Sequence, residues 1–132
     1  EELEAIKEAY TGETVVQVGF NRRFSPMIEK MKKLVSGQIS VNYRINAGII
    51  PKNIWIQDRT IGGGRIIGEV CHFIDTCSYL IGSEVKSVFA TTIQKSDQSI
   101  PDEDNVNIVL NFRFFYNTFI HFNHIIFVFI FK

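Results

Sequence analysis

The sequence predicts an α+β fold with an open, mainly antiparallel sheet and helices on one of its faces. Two segments, 38–45 and 105–112, alternate apolar and polar residues as half-buried strands do. One helix is marked at both ends: Ser25 is its N-cap, Pro26 takes its first position and Gly37 follows its end. Because strands with one polar side in strand-loop-strand order are typical of antiparallel sheets, we expect these strands to pair in that way.

The other elements follow from hydrophobic periodicity and from the turn residues between them. In chain order, we expect a helix over 1–10, a strand over 14–20, a helix over 25–37, a strand over 38–45, a loop over 46–64, a helix over 65–81, a strand over 85–93, a polar connection over 94–104 and a strand over 105–112. The loop is long for a domain of this size, and such loops are usually functional or mobile.

The chain has 132 residues, a length that suits one modest domain with a core of its own. Its formal net charge is zero, so bulk electrostatics predict no nucleic-acid partner and no acidic membrane surface. Cys71 and Cys77 are separated by roughly 9 Å of helical rise, which is too far for a disulfide. Two reduced cysteines fit a cytoplasmic protein. The chain lacks an initiator methionine, so we expect it to begin inside a longer protein.

The predicted helix over 65–81 separates an apolar face from a polar one. Its apolar face is expected to hold Ile67, Val70, Ile74, Cys77 and Ile81. The polar face is expected to hold Arg65, Glu69 and His72. Of these, Glu69 and His72 are three residues apart, so their side chains are neighbours. A carboxylate beside an imidazole can hold the ring in one tautomer, which makes this pair a candidate for acid–base chemistry in a cleft. The alternative is a polar face that is simply solvated.

Three consecutive glycines, Gly62 to Gly64, precede this helix. They suit a backbone with positive φ or the close approach of a ligand. Together with Gly68 they fit the spacing GxGxxxG, whereas a dinucleotide fingerprint has GxGxxG directly after a strand. We therefore expect no dinucleotide phosphate loop at this position.

Two other site types were considered for this part of the chain. The side chains from which a zinc site could be drawn are Cys71, His72, Cys77, His121 and His124. Their spacings match no established ligand set, so no metal is expected. A nucleophilic role for Cys71 is disfavoured because it borders the apolar face, where a thiol is normally inert. Trp55, in the long loop, is either a platform for sugar stacking or a plug on the core.

The tail, residues 113–132, contains seven of the twelve phenylalanines and no glycine, proline or acidic residue. A transmembrane helix would need a longer apolar stretch than its polar residues allow. One or two buried strands are a second interpretation. A third, which we favour, is a shift of reading frame near Arg113.

The segments VVQVGFNRRFSP (15–26) and NYRINAGIIPKNIWIQDRTIGGGRIIGEVCHFIDTCSYLIG (42–82) resemble the glucose–fructose oxidoreductase / inositol dehydrogenase (Gfo/Idh/MocA) family. The resemblance covers roughly residues 1–112. It implies a dehydrogenase that moves a hydride between NAD or NADP and a hydroxyl carbon of a sugar, sugar derivative or cyclitol. Family members join a Rossmann domain to an open-sheet domain that holds the substrate and often forms homo-oligomers.

The resemblance also implies how the chain is divided. Residues 1–24 would be the last helix and strand of a Rossmann domain, 25–112 part of the C-terminal substrate and oligomerisation domain, and 113–132 an aberrant tail. The cofactor would be bound mainly upstream of residue 1, so a fragment that is inactive alone is expected. The alternative is a non-enzymatic sheet module for oligomerisation or carbohydrate binding.

By the resemblance, His72 matches the histidine of the active-site helix, which works with a lysine in proton transfer. Many members have an acid four positions earlier, where this chain has Gly68, so Glu69 is the candidate catalytic carboxylate. Asp75 completes an HxxD pattern with a structural or orienting role. The further candidates are the substrate contacts Arg65, Asp75, Tyr43 and Trp55 and the cofactor contact Arg23.

Overall fold

A computed structural model describes residues 2–48, 50–92 and 105–113, together with the backbone of 117–122 and 128–131. The helices are α1 (Glu2–Ala9), α2 (Pro26–Leu34) and α3 (Cys71–Ile81), and the strands are β1 (Ser40–Ile45), β2 (Val85–Thr92), β3 (Val106–Phe112), β4 (Asn117–Phe122) and β5 (Val128–Phe131). Short 3₁₀ turns cover Asn21–Phe24 and Trp55–Gln57, and a π-helical turn covers Ile66–Val70.

The five strands form one sheet in the order β2-β3-β4-β1-β5. Three of the four neighbouring pairs are antiparallel, and only β1 and β4 run parallel. In the register, Val41 lies beside Thr118, and Thr118 lies beside Leu110. The predicted α+β fold with a mainly antiparallel sheet is therefore confirmed.

The core lies between one face of this sheet and helix α3. Strand β1 buries Val41 and Ile45, and strand β3 buries every second residue from Val106 to Phe112. These side chains pack in one cluster with Val70 and Phe73, so α3 lies on this face as expected. Within the part of the chain that is described, no helix has the length and apolar character needed to cross a membrane.

Helix α2 is anchored at both ends. The hydroxyl of Ser25 accepts a hydrogen bond from the backbone N–H of Ile28 at 3.4 Å, in the N-cap position that the sequence predicts. Near the other end, the ammonium group of Lys32 donates to the carbonyl of Leu80 at 2.9 Å. Leu80 lies in the last turn of α3, where backbone carbonyls lack partners within the helix and the helix dipole favours a positive charge. The contact therefore joins α2 to the C-terminal end of α3.

The run 14–20 is not a strand in this structure, since no strand pairs with it among the described residues, and Val15 is 93% exposed. In the tail, β4 and β5 agree with the interpretation of one or two strands. A shift of reading frame stays a prediction. The connection predicted over 94–104 lies outside the described residues.

Candidate active site

Helix α3 is preceded by the π-helical turn Ile66–Val70. A π turn holds about one residue more than an α turn, so residues before it rotate relative to those after it. Val70 and Cys77 are buried as predicted, but Ile67 is 68% exposed instead of buried. Arg65, predicted to face a cleft, is fully buried. These two expectations were wrong because a constant 3.6-residue period was applied across the π turn.

The guanidinium of Arg65 is held on three sides. Its Nε and Nη2 donate to Oε2 of Glu69 at 3.2 and 2.9 Å, and its Nη1 donates to the carbonyl of Gly48 at 2.8 Å. The buried cation is therefore paired, as a buried charge must be. It also holds the chain that follows β1 against the start of the site helix. The carboxylate side chain of Glu69 keeps 28% of its surface exposed.

His72 is half-buried on the first turn of α3, and its ring packs against the segment before α2 rather than against a carboxylate. The rings of Phe20 and His72 meet in a T-shaped arrangement, with their centroids 5.6 Å apart at an angle of 87°. Nδ1 is buried and has no hydrogen-bond partner among the described residues. Within the same part of the chain, no hydrogen bond joins His72 to Glu69, whose Oε2 is taken by Arg65.

Asp75 and Arg23 are joined to each other. Nε of Arg23 donates to Oδ2 of Asp75 at 2.9 Å, and Nη2 donates to Oδ1, which gives a bidentate ion pair. The hydrogen bond to Asp75 raises the pKa of the Arg23 guanidinium above its ordinary value. The guanidinium also lies 5.3 Å from the ring centroid of Tyr79. The predicted substrate contact and the predicted cofactor contact thus form a link between α3 and the 3₁₀ turn before α2.

Tyr43 lies beside a cavity of about 260 Å³ at the end of β1. Its ring meets Phe73 edge-on at 5.2 Å, and the guanidinium of Arg22 lies 4.5 Å from the centroid of the same phenylalanine. Burial raises the pKa of Tyr43, and the charge of Arg22 acts against that shift. Arg22 and Asn46 also line the cavity, and the sequence analysis missed both. The signal available for Arg22 was the double arginine in FNRRF.

The glycine run packs the long loop against the π turn. A Cβ on Gly62 would lie 2.5 Å from Cα of Ile56, a distance that real side chains do not allow. Gly63 and Gly64 have φ of +72° and +81°, so the expected positive φ is present. Trp55, in the same loop, is 64% exposed and so does not plug the core. Its role in sugar stacking stays a prediction.

Both cysteines are free thiols, as expected. Cys77 is buried, and this burial raises its pKa to about 12, far from the range of a reactive thiolate. Burial also raises the pKa of Cys71, whose Sγ donates to the carbonyl of Ile67. No group of three or more His, Cys, Asp or Glu within the described residues could hold a metal ion. The side chains of His121 and His124 lie outside the described residues.

Comparison with curated proteins finds relatives that are longer than this chain. It is 31% identical over 118 residues to the uncharacterized oxidoreductase YrbE of Bacillus subtilis (strain 168), a match that takes in 86% of this chain and 35% of the relative. It is 32% identical over 92 residues to inositol 2-dehydrogenase 2 of Saccharopolyspora erythraea, a match that takes in 69% of this chain and 26% of the relative. The chain thus spans about a third of the length of these relatives or less.

Solved structures share the fold. The aldose-aldose oxidoreductase from Caulobacter crescentus, complexed with glycerol, superposes with a TM-score of 0.75 at 22% identity, over 92% of this chain and 38% of that one. The WlbA dehydrogenase from Bordetella pertussis, in complex with NADH and UDP-GlcNAcA, gives 0.68 at 23% identity, over 93% and 40%. The family model of the GFO/IDH/MocA C-terminal domain matches residues 33–118, which is more than half of the chain. The chain therefore belongs to the GFO/IDH/MocA family, through a segment that matches its C-terminal domain.

Proposed function

We propose that this chain is part of an NAD(P)-dependent oxidoreductase that moves a hydride between a nicotinamide and a hydroxyl carbon of a sugar, sugar derivative or cyclitol. Its family membership and its similarity to an inositol dehydrogenase support this activity. The observation that carries the proposal is His72, a half-buried imidazole on the helix that the family resemblance assigns to the active site. Its two free cysteines support a cytoplasmic location.

In this proposal His72 moves the proton of the reacting hydroxyl. When a hydroxyl carbon is oxidised, its oxygen must lose a proton as the hydride leaves, and a positioned base lowers that barrier. Because Nδ1 is buried, we assign Nε2 as the nitrogen that meets the substrate oxygen. The partly exposed carboxylate of Glu69 accepts a hydrogen bond from a substrate hydroxyl, and Arg65 positions that carboxylate. Asp75 binds Arg23 and so holds the 3₁₀ turn that follows Phe20, the residue whose ring contacts His72.

The described residues do not fit the main binding site of a dinucleotide. A pyrophosphate is usually held by backbone N–H groups at the start of a helix, on glycines that allow it to approach closely. Here the glycine run makes room for Ile56, and the guanidinium of Arg23 is occupied by Asp75. We therefore place the cofactor site mainly outside these residues and expect the chain alone to be inactive.

The test is the substitution of His72 by alanine in an active enzyme that contains this chain. Loss of general acid–base help lowers kcat by about 10²–10⁴-fold. Cofactor affinity should stay near that of the parent enzyme. Glu69→Gln serves as the matched variant, and we expect a smaller loss because it keeps the size of the side chain. Steady-state kinetics with a panel of sugars and cyclitols measure both effects. A kcat within about twofold of the parent is too small a loss for proton transfer and would assign His72 a structural role.

The sheet also supports the alternative function, self-association of the chain. Among the described strands, β2 is an edge of the sheet, and every one of its eight residues is exposed. Val88 and Phe89 are 61% and 64% exposed, although unpaired edges with apolar side chains are usually protected in monomers. We propose that this strand contacts a second copy of the chain.

Phe89→Lys should shift the chain from dimer to monomer, because a charge at the centre of the edge would be buried on pairing. Thr92→Lys adds the same charge near the end of the same strand and should have a smaller effect. Light scattering after size-exclusion chromatography gives the mass of each variant. A wild-type chain that is monomeric at every concentration tested would refute this contact.

A further inference from the structure

The cavity of about 260 Å³ at the end of β1 is lined by both apolar and polar residues. Its walls include the apolar side chains of Ile45 and Phe73, and its polar lining residues are Arg22, Tyr43, Arg44 and Asn46. A pocket with apolar walls and a few convergent polar groups is the usual form of a small-molecule site. The chemistry of those polar groups then decides which ligands fit.

Arg22 brings a positive charge to this cavity. Its guanidinium lies over the face of Phe73 at 4.5 Å, a cation–π contact that holds it at the cavity wall. Among the described residues, no carboxylate pairs with it, in contrast to the neighbouring Arg23, whose charge Asp75 balances. Arg44 also borders the cavity, but strand alternation turns its side chain to the face of the sheet opposite that of Tyr43. Arg22 is therefore the cation whose guanidinium lies at the Phe73 wall of the cavity.

Two neutral donors accompany the cation. The hydroxyl of Tyr43 is close enough to Arg22 for the charge to influence its ionisation. The side-chain carbonyl of Asn46 accepts a hydrogen bond from the backbone N–H of Gly48 at 3.1 Å, which leaves its NH₂ group to donate elsewhere. A guanidinium, a hydroxyl and an amide NH₂ at one cavity are complementary to an anion rather than to a neutral polyol.

We propose that this cavity binds a carboxylate group of the substrate, so that the substrate is an acidic sugar and Arg22 is the residue that selects it. This inference rests on the proposed function, which leaves the substrate open among sugars, sugar derivatives and cyclitols. A planar carboxylate matches the fork of a guanidinium, and the stacked position of Arg22 presents that fork without further ordering. Phe73 of the cavity wall follows His72 in sequence, so the cavity and the proposed proton acceptor are attached to the same turn of α3.

The test measures binding of four probes to the full 132-residue chain by ligand-observed NMR titration: glucuronate, glucose, glucose 6-phosphate and myo-inositol. Glucuronate should bind at least about tenfold more tightly than glucose, the size of effect typical of a hydrogen bond to a charged group. Arg22→Gln should remove this preference, and Arg22→Lys should retain part of it. Arg59→Gln is the matched control, since Arg59 is an exposed arginine that does not line the cavity, and it should leave the preference intact.

Equal affinities for glucuronate and glucose would overturn the inference, as would a preference that survives Arg22→Gln. Tighter binding of glucose 6-phosphate than of glucuronate would assign the cavity to phosphate and overturn the carboxylate. Failure of the folded chain to bind any of the four probes would overturn it as well. Because binding requires no turnover, these outcomes are separate from the kinetics of His72→Ala. Turnover of neutral cyclitols that depends on His72 would support the proposed function even where the carboxylate subsite fails.

Discussion

At the scale of single residues, two arginines determine what the acidic side chains of the site can do. The carboxylates of Glu69 and Asp75 lie six positions apart in sequence, and each is bound by an arginine through two nitrogen atoms. Removing either arginine would leave a partly or fully buried carboxylate without its partner, which costs more than the pair contributes. The acids are therefore fixed in place, which agrees with our proposal that the ring of His72 transfers the proton.

We expect the buried thiol of Cys77 to lower the stability of the fold at alkaline pH. Burial raises its pKa from an ordinary 9.0 to about 12, so the folded chain keeps a proton that the unfolded chain releases. The stabilisation is fully present below pH 9 and is lost as the pH rises toward about 12, by about 1.4 kcal/mol per pH unit in that interval. Urea unfolding between pH 8 and 11 measures the slope.

The matched control for this slope is Cys77→Val, which replaces the thiol by an apolar group of similar size. Lysines and tyrosines titrate in the same range, so the difference between the two slopes isolates the thiol. The variant should lose less stability per pH unit above pH 9 than the wild-type chain. Identical slopes would show that Cys77 ionises in the folded state as easily as in the unfolded one.

A contact between two residues could be predicted from the sequence only where the two residues are close together along the chain. His72 and Tyr43 could be found because helix and strand periods place them, and a resemblance singles out the histidine. The pair of Arg65 and Glu69 has i,i+4 spacing, so the sequence contained a signal for it. Phe20 lies 52 positions from His72, and no local pattern reports a contact at that separation.

At the scale of elements, the periodic segments were predicted well and the irregular ones were not. Strand β1 buries the face that its alternation predicts. In a strand, a shift of one residue would move every side chain to the opposite face, so the pattern identifies the buried face directly. The helix over 65–81 was placed correctly, yet its π turn changed which residues are buried at its start. A π turn shifts the hydrogen bonds by one residue and leaves no mark in hydrophobic spacing. The run 14–20 has a strand-like composition, but a strand also needs a neighbour to pair with.

The contact between the long loop and the π turn predicts the effect of Gly62→Ala. The added methyl group would lie 2.5 Å from Cα of Ile56 and 2.6 Å from the carbonyl oxygen of Trp55, and backbone atoms cannot move aside as a side chain can. We expect the free energy of unfolding to fall by about 1–3 kcal/mol, the usual cost of overpacking. Gly19→Ala is the control, since nothing lies within 4 Å of its Cβ position. Equal unfolding midpoints in urea for the two variants would show that the loop does not pack as described.

At the scale of the whole molecule, the sheet and α3 form a packed unit to which the segment before α2 is tied at one end. The ion pair of Arg23 with Asp75 and the ring contact of Phe20 with His72 fix that end. Earlier in the segment, Val15 and Val18 are 93% and 66% exposed, and none of the residues of α1 is buried. The packed part of the chain is therefore the part that holds the proposed substrate site. The exposed residues before α2 lie outside this packed part, which bears on whether the chain alone can bind a cofactor.

We predict that this chain alone binds NADH weakly or not at all. Tight binding of a dinucleotide needs backbone N–H groups aimed at the pyrophosphate, and the described residues use their glycine run for packing instead. Arg23, the candidate cofactor contact, is already neutralised by Asp75, so it has no free charge to attract a phosphate. Isothermal titration calorimetry should give a dissociation constant in the millimolar range or no measurable heat. A full-length dehydrogenase of the same family, titrated under the same conditions, is the positive control. A micromolar constant for the isolated chain would show that it holds the cofactor itself, and the assignment of that role to residues outside it would then be wrong.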